Sequence, residues 1–231
     1  MMAILFRGGL GVNILAFDTA TQVCTVALSN KDCVSFRHEH CPREHSNRLL
    51  PYIDALLSEA GIGFKDLDGI ACGVGPGSFM GVRLAAGVAQ GLAYTADLPL
   101  LPVSTLQALA QGAASAAQDL PVAAAWDARM GELYLGLYRA DEHGIMQPLQ
   151  ADALIKPEAL TLSMPVVAVG NAWSEYDAML MPASKQLCSQ LDVKATPTAE
   201  AMLVIAKAAD AASWVSVNDF EVAYLRQAVT D

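Results

Sequence analysis

Two aspartates stand at matched places in the chain. Asp18 follows the apolar run 13–17 and opens a turn over Thr19–Gln22, and Asp127 follows Pro121–Trp126 and opens a turn over Ala128–Gly131. A carboxylate at a strand end can orient a hydrated cation. It can also cap its own turn by accepting backbone N–H groups. Between them lies Gly73-Val-Gly-Pro-Gly-Ser-Phe-Met-Gly-Val-Arg83, after an apolar run (68–74) and before a helix rich in small residues. Strand, glycine turn and helix form an architecture that holds anions, because the first amides of the helix are unpaired and glycine lets the backbone approach closely. Gly75, Gly77 and Ser78 are the candidate contacts there. The loop lacks the Gly-Lys-Ser/Thr of nucleoside triphosphatases and is not the dinucleotide fingerprint. Ser78 has no general base in its neighbourhood of the sequence and reads as a helix N-cap rather than a nucleophile.

A second cluster, His38, His40, Cys41 and His45, offers four imidazole or thiol ligands within eight residues. Structural zinc sites usually draw ligands from two knuckles separated by a longer loop. The cluster therefore reads as an edge strand running into a helix start, and no metal site is expected.

These residues need elements to position them. The pattern predicts strands at 13–17, Val23–Leu28 and Cys33–His38, a helix over Ser46–Ala60 capped by Ser46, and a strand ending at Val74. Pro51 predicts a bend or a displaced start in that helix. A helix from Ser78 to about Tyr94, a strand at Leu100–Val103 and a helix from Ser104 follow. Beyond Asp127 come strands at Glu132–Arg139 and Val166–Val169 and a helix over Thr198–Ala212. Repetition of strand, Asp and turn suggests two related lobes. The expected division is an N-terminal extension (1–12), a first lobe (13–104), a second, degenerate lobe (105–213) and a C-terminal tail (214–231) returning to the first lobe.

The 231 residues are 54% hydrophobic and 16% charged, with a formal net charge of −10. A broad nucleic-acid footprint needs clustered Lys and Arg, and only 14 such residues are present. Any tRNA contact is expected to be minor or indirect. Five scattered cysteines without CxxC spacing suit a reducing cytoplasm. No stretch reads as a signal peptide or a membrane span.

Asp18-Thr-Ala-Thr, Cys41-Pro-Arg-Glu-His-Ser, Gly75-Pro-Gly-Ser-Phe, Gly81-Val-Arg, Asp127-Ala-Arg-Met-Gly-Glu and Tyr224-Leu-Arg226 occur in this order along nearly the whole chain. Together they resemble the TsaB (YeaZ) family of bacteria. The resemblance implies an α/β actin/sugar-kinase/Hsp70 (ASKHA) fold, with two lobes each built on a mixed sheet flanked by helices. It implies a part in forming N6-threonylcarbamoyladenosine at position 37 of ANN-decoding tRNAs, as a non-catalytic partner of the transferase TsaD with the ATPase TsaE completing the assembly. Met80 and Val222 depart from the family pattern, which has Thr and Pro there. The transferase's two metal histidines fall at Thr105 and Leu109, neither of which supplies an imidazole. Ala20 stands where the active ATPases of the fold have glycine. No cofactor is required on this reading; weak ATP or ADP binding near Asp18, Gly75, Gly77, Ser78 and Asp127 stays open, as does an ATP-hydrolysing enzyme of the same fold.

The helices offer an alternative to chemistry. Leu49, Leu50, Tyr52, Ile53 and Leu56 on one helix and Val82, Ala85, Ala86, Ala89 and Leu92 on the next supply apolar and small surface for another helix. The resemblance assigns this surface to pairing with TsaD, and to a homodimer when TsaD is absent. A charge at Leu49 or Ile53 is then expected to leave the fold intact and weaken both assemblies.

Overall fold

The computed structural model describes residues 11–31 and 33–225. Arg226 of the closing motif and most of the N-terminal extension lie outside the described residues. The chain divides into two compact units, Met1–Thr105 with Thr198–Val222, and Leu106–Pro197 with Ala223–Asp231.

In the first unit, β1 (Ile14–Asp18), β2 (Val23–Asn30) and β3 (Cys33–His40) form an antiparallel meander. α1 (His45–Ala60) leads to β4 (Gly69–Gly73), and α2 (Phe79–Ala96) to β5 (Leu100–Val103). β4 and β5 run parallel to β1, so the strand order is β3-β2-β1-β4-β5. β1 and β4 are buried on both faces, as their unbroken apolar runs dictate. Leu15, Phe17, Val26, Leu28 and Ile70 pack on one side against Leu49, Ile53 and Leu56 of α1 and Ala85, Ala89 and Ala93 of α2. Each buried Leu or Ile contributes about 2–3 kcal/mol.

In the second unit, α3 (Thr105–Gly112, of which Thr105 belongs to the first unit) and α4 (Ala114–Ala117) precede β6 (Val122–Arg129) and β7 (Glu132–Ala140). β8 (Met146–Pro148), β9 (Ala153–Ile155), β10 (Val166–Val169), α5 (Ala172–Glu175), α6 (Pro182–Gln186) and β11 (Cys188–Asp192) follow. The order is β11-β10-β6-β7-β8, with β9 also on β7. β6, β7 and β8 form an antiparallel meander, and β10 and β11 run parallel to β6. Read from β8, this sheet repeats the first unit's pattern of three antiparallel strands and two parallel ones.

The expected boundaries are corrected in two respects. α7 (Ala199–Ala208) packs on β1 and β2, so residues 198–213, expected in the second lobe, belong to the first unit, and of the tail expected to return to the first lobe 214–222 does so while 223–225 belongs to the second unit. An amide at the start of α7 decides the first of these locally: Ala199 N–H donates to Thr25 Oγ1 of β2 at 2.9 Å. α7 stops at Ala208 rather than 212, because Ala209 is extended. α1 begins one residue before Ser46, with Glu44 at the cap position and no side-chain cap, and runs unbroken through Pro51. The short elements β8, β9, β11, α4, α5 and α6 carry too few residues to show a period in sequence.

Candidate functional site

β1 delivers Asp18 to the carboxyl end of its sheet, where the glycine loop between β4 and α2 also arrives. The Asp18 side chain is only 1% exposed. Its Oδ1 accepts the Ala20 N–H at 2.5 Å and its Oδ2 accepts the Thr105 hydroxyl at 2.6 Å. Burial pushes its pKa upward, and the bonds from Thr105 and Ala20 and the nearby His45 oppose that. A carboxyl so enclosed has no open position for a hydrated cation.

The turn after Asp18 is pressed onto the glycine loop. Ser78 N–H donates to the Ala20 carbonyl at 2.7 Å, and Thr19 Oγ1 donates to the Gly81 carbonyl at 2.7 Å. A Cβ at Gly73 would overlap the Asp18 carboxylate, and one at Gly77 would overlap the Ala20 carbonyl. These glycines are thus needed for packing of chain against chain. Ser78 Oγ accepts the Gly81 N–H at 3.2 Å and caps α2. Gly75 carries φ +90°, a backbone that favours glycine.

Asp127 of the second unit is fastened differently. Its Oδ1 accepts the Arg129 N–H at 2.8 Å and the Tyr176 hydroxyl at 2.6 Å, while its own N–H donates to Asn171 Oδ1 at 2.9 Å. Burial, then the Asp127 bond, pushes the Tyr176 phenol up to about 12. Tyr176 and Asn171 were not singled out from sequence; they lie more than 40 residues from Asp127 with no motif to join them. At the hairpin tip Arg129 and Met130 both have positive φ, at 63° and 58°, and Met130 is 83% exposed.

The histidine cluster is dispersed. His38 Nδ1 contacts Thr25 Oγ1 at 3.2 Å, and His40 Nε2 contacts Gln22 Oε1 at 2.9 Å. Among the described residues no group of three His, Cys, Asp or Glu could hold a metal ion.

The structure redraws the helix surface. Leu49, Ile53 and Leu56 of α1 and Val82, Ala85, Ala86 and Ala89 of α2 are buried in the unit's own core and face no partner. Ile53 is 0% exposed, so a charge there would break the fold rather than spare it. The error has a physical cause: apolar spacing identifies the face that packs, and that face went to the sheet. Tyr52 is half-buried and its hydroxyl bonds Glu39. Leu50 is exposed and Leu92 half-buried, so these two remain on the accessible surface. What α2 exposes is Met80 (74% exposed), Gly87, Gly91 and Tyr94 (81% exposed), beside Leu84 and Val88, which are half-buried and pack partly against the unit's own core. Added Cβ atoms at Gly87 or Gly91 would meet open space. The outcome is a low groove of small residues with apolar shoulders, a shape a helix can approach closely.

Comparison with known proteins places this geometry. The chain is 36% identical over 230 residues to the tRNA threonylcarbamoyladenosine biosynthesis protein TsaB of Haemophilus influenzae, covering 95% of each chain. The chain belongs to the TsaB (YeaZ) family. Its Escherichia coli relative of the same name is 45% identical over 170 residues, covering 71% of this chain and 74% of that one. The structure of YeaZ from Pseudomonas aeruginosa superposes with a TM-score of 0.84 at 37% identity, covering 93% of this chain and 100% of that one. A family model described as TsaD, tRNA N6-adenosine threonylcarbamoyltransferase, matches residues 37–224. The fold is therefore the two-lobed ASKHA architecture. At the two positions where the resemblance implied the transferase's histidines, Thr105 is buried against Asp18 and Leu109 is buried in the second unit's core. No helix among the described residues is long and apolar enough to cross a membrane.

Proposed function

We propose that the chain is a non-catalytic subunit that binds and activates the TsaD transferase in forming N6-threonylcarbamoyladenosine at position 37 of ANN-decoding tRNAs. The names of its relatives support the pathway, and the enclosure of Asp18 supports the absence of chemistry. That enclosure carries the reading: both carboxylate oxygens are occupied by protein donors and the group is sealed from solvent. A phosphotransfer site instead needs carboxylates free to hold a metal.

The docking surface is the outward face of α2 with Leu50 of α1. Met80, Leu84, Val88, Leu92 and Tyr94 supply apolar contact around the Gly87–Gly91 groove. Burial of about 800 Å² per partner is ordinary for a stable complex. The same face serves self-pairing when the transferase is absent. TsaE joins the assembly through it or through the transferase, and the tRNA is held mainly by the transferase, as the acidic balance of this chain favours. The chain needs no cofactor; a weak ATP or ADP contact would fall on the exposed lip Ser78–Met80 rather than on Asp18. The work takes place in the cytoplasm.

Gly87→Asp puts a charge into the groove without touching the core. Co-elution with TsaD on size exclusion is expected to be lost, with the melting temperature unchanged. A Gly87→Asp and Tyr94→Asp double variant that still co-elutes would remove this surface from the account.

A further inference from the structure

The charged side chains of α1 are not placed alike. Arg48 lies 3.6 Å from Glu39 and 3.5 Å from Glu44, and Glu59 is paired with Arg37. Asp54 differs. Among the described residues its carboxylate makes no ion pair and no hydrogen bond.

Asp54 is exposed and stands one turn after Leu50, itself 50% exposed, on the stripe that Asn47 opens and Ser58 continues. Residues three and four positions apart on a helix are surface neighbours. Those of Asp54 are Leu50, Pro51, Leu57 and Ser58, none of them a cation. The helix N-terminus favours a carboxylate only within its first turn, and Asp54 lies well beyond that turn of α1. The other helix of the docking face, α2, contains no carboxylate. A helix that covers Leu50 therefore takes water away from one uncompensated negative charge. Such a group is costly to desolvate unless a cation replaces the water.

We propose that Asp54 determines which partner segment the docking face accepts: the segment that covers Leu50 presents a Lys or Arg to the Asp54 carboxylate. Its other contacts, with Leu50 and the groove of α2, are apolar or small. This rests on the docking reading given above and adds what the docked segment must carry. Apolar shape alone selects weakly, because many helices can offer it. A single charge that needs an answer rejects a segment with an apolar or acidic group at that place. The net charge of −10 draws a basic segment from a distance as well.

The test measures binding of purified TsaD, at low and at high salt, to the parent chain and to Asp54→Glu, Asp54→Asn and Asp54→Lys. Gly87→Asp is run alongside to report on the docking face itself. Asp54 has no internal partner to lose, and thermal melting confirms that each variant is folded. Asp54→Glu should bind as the parent does, because it keeps the charge. At low salt Asp54→Asn should bind about 5-fold and Asp54→Lys about 50-fold more weakly, chiefly through slower association, and high salt should shrink both differences. If Gly87→Asp weakens binding while Asp54→Asn and Asp54→Lys bind as the parent does, this proposal is overturned and the docking face stands. Losses that salt leaves unchanged, or an equal loss in Asp54→Glu, would overturn it too, since shape rather than charge would then matter. If Gly87→Asp also binds as the parent does, the docking face fails and this proposal fails with it.

Discussion

The two hairpins that carry Asp18 and Asp127 share a topology and differ in how they are finished. In the first unit the carboxylate is sealed, and the turn after it is small, buried and bolted to the glycine loop through Ser78, Thr19 and Gly81. In the second unit the carboxylate sits nearer solvent, held by a tyrosine and its own backbone, and the turn ends in two exposed residues with left-handed backbones. The same strand-Asp-turn pattern is thus held by protein donors in two different environments. An acidic residue at a strand end can serve a cation or its own turn, and its donors and its exposure distinguish the two.

The strongest way to break this comparison is to test the packing around each hairpin. Gly73→Ala would drive a methyl group into Asp18, and Gly170→Ala into the Ala125 carbonyl at a backbone φ of +103°. Each is expected to cost more than about 3 kcal/mol, because a backbone or fixed neighbour must move. Denaturant unfolding measures both, and a loss below 1 kcal/mol in either would contradict the close packing.

Next come the carboxylates themselves. Asp18→Ala leaves the Ala20 N–H and the Thr105 hydroxyl unpaired in a sealed site, at a cost of about 2–4 kcal/mol. Asp127→Ala exposes its donors to nearby water and should cost about 1–2 kcal/mol. Equal losses would erase the distinction between sealed and open hairpins.

The pH dependence sharpens it further. Burial raises the Asp18 pKa above the ordinary 3.8, so the folded chain holds this proton more tightly than the unfolded chain. Its contribution is fully present below about pH 3.8 and is lost as pH rises through the elevated folded value. Asp18→Asn keeps the acceptor for Ala20 and has no such proton. Relative to the parent chain, its stability should climb with pH across that window; a flat difference would mean the carboxyl is not desolvated.

The smallest effect belongs to the second hairpin's tip. Met130 and Gly131 both have positive φ, as in the turns that favour Asn-Gly. Met130→Asn should raise stability by about 1 kcal/mol, read as a higher melting temperature.

Much of this architecture was legible in sequence. The strand-Asp-turn pairs and the strand-glycine-helix unit are local patterns, and their periodicity and turn residues are written within a dozen positions. The assignment of α7 was not, because the bond from Ala199 to Thr25 spans 174 residues and leaves no local trace. Nor was the accessible face of α2. The buried Val82, Ala85 and Ala89 and the exposed Met80, Gly87 and Gly91 are alike apolar or small, so a low-contrast helix does not reveal which stripe meets the sheet. Enclosure of Asp18 was equally hidden, since it depends on Thr105 arriving from 87 residues away.

The most direct test is reconstituted tRNA modification with purified TsaD, TsaE and this chain carrying Asp18→Asn. If the chain activates by docking alone, the variant should support modification as well as the parent does, while Gly87→Asp should not and omission of the chain should abolish it. Loss of modification with Asp18→Asn in a folded, complex-forming chain would show that the carboxylate does chemistry after all.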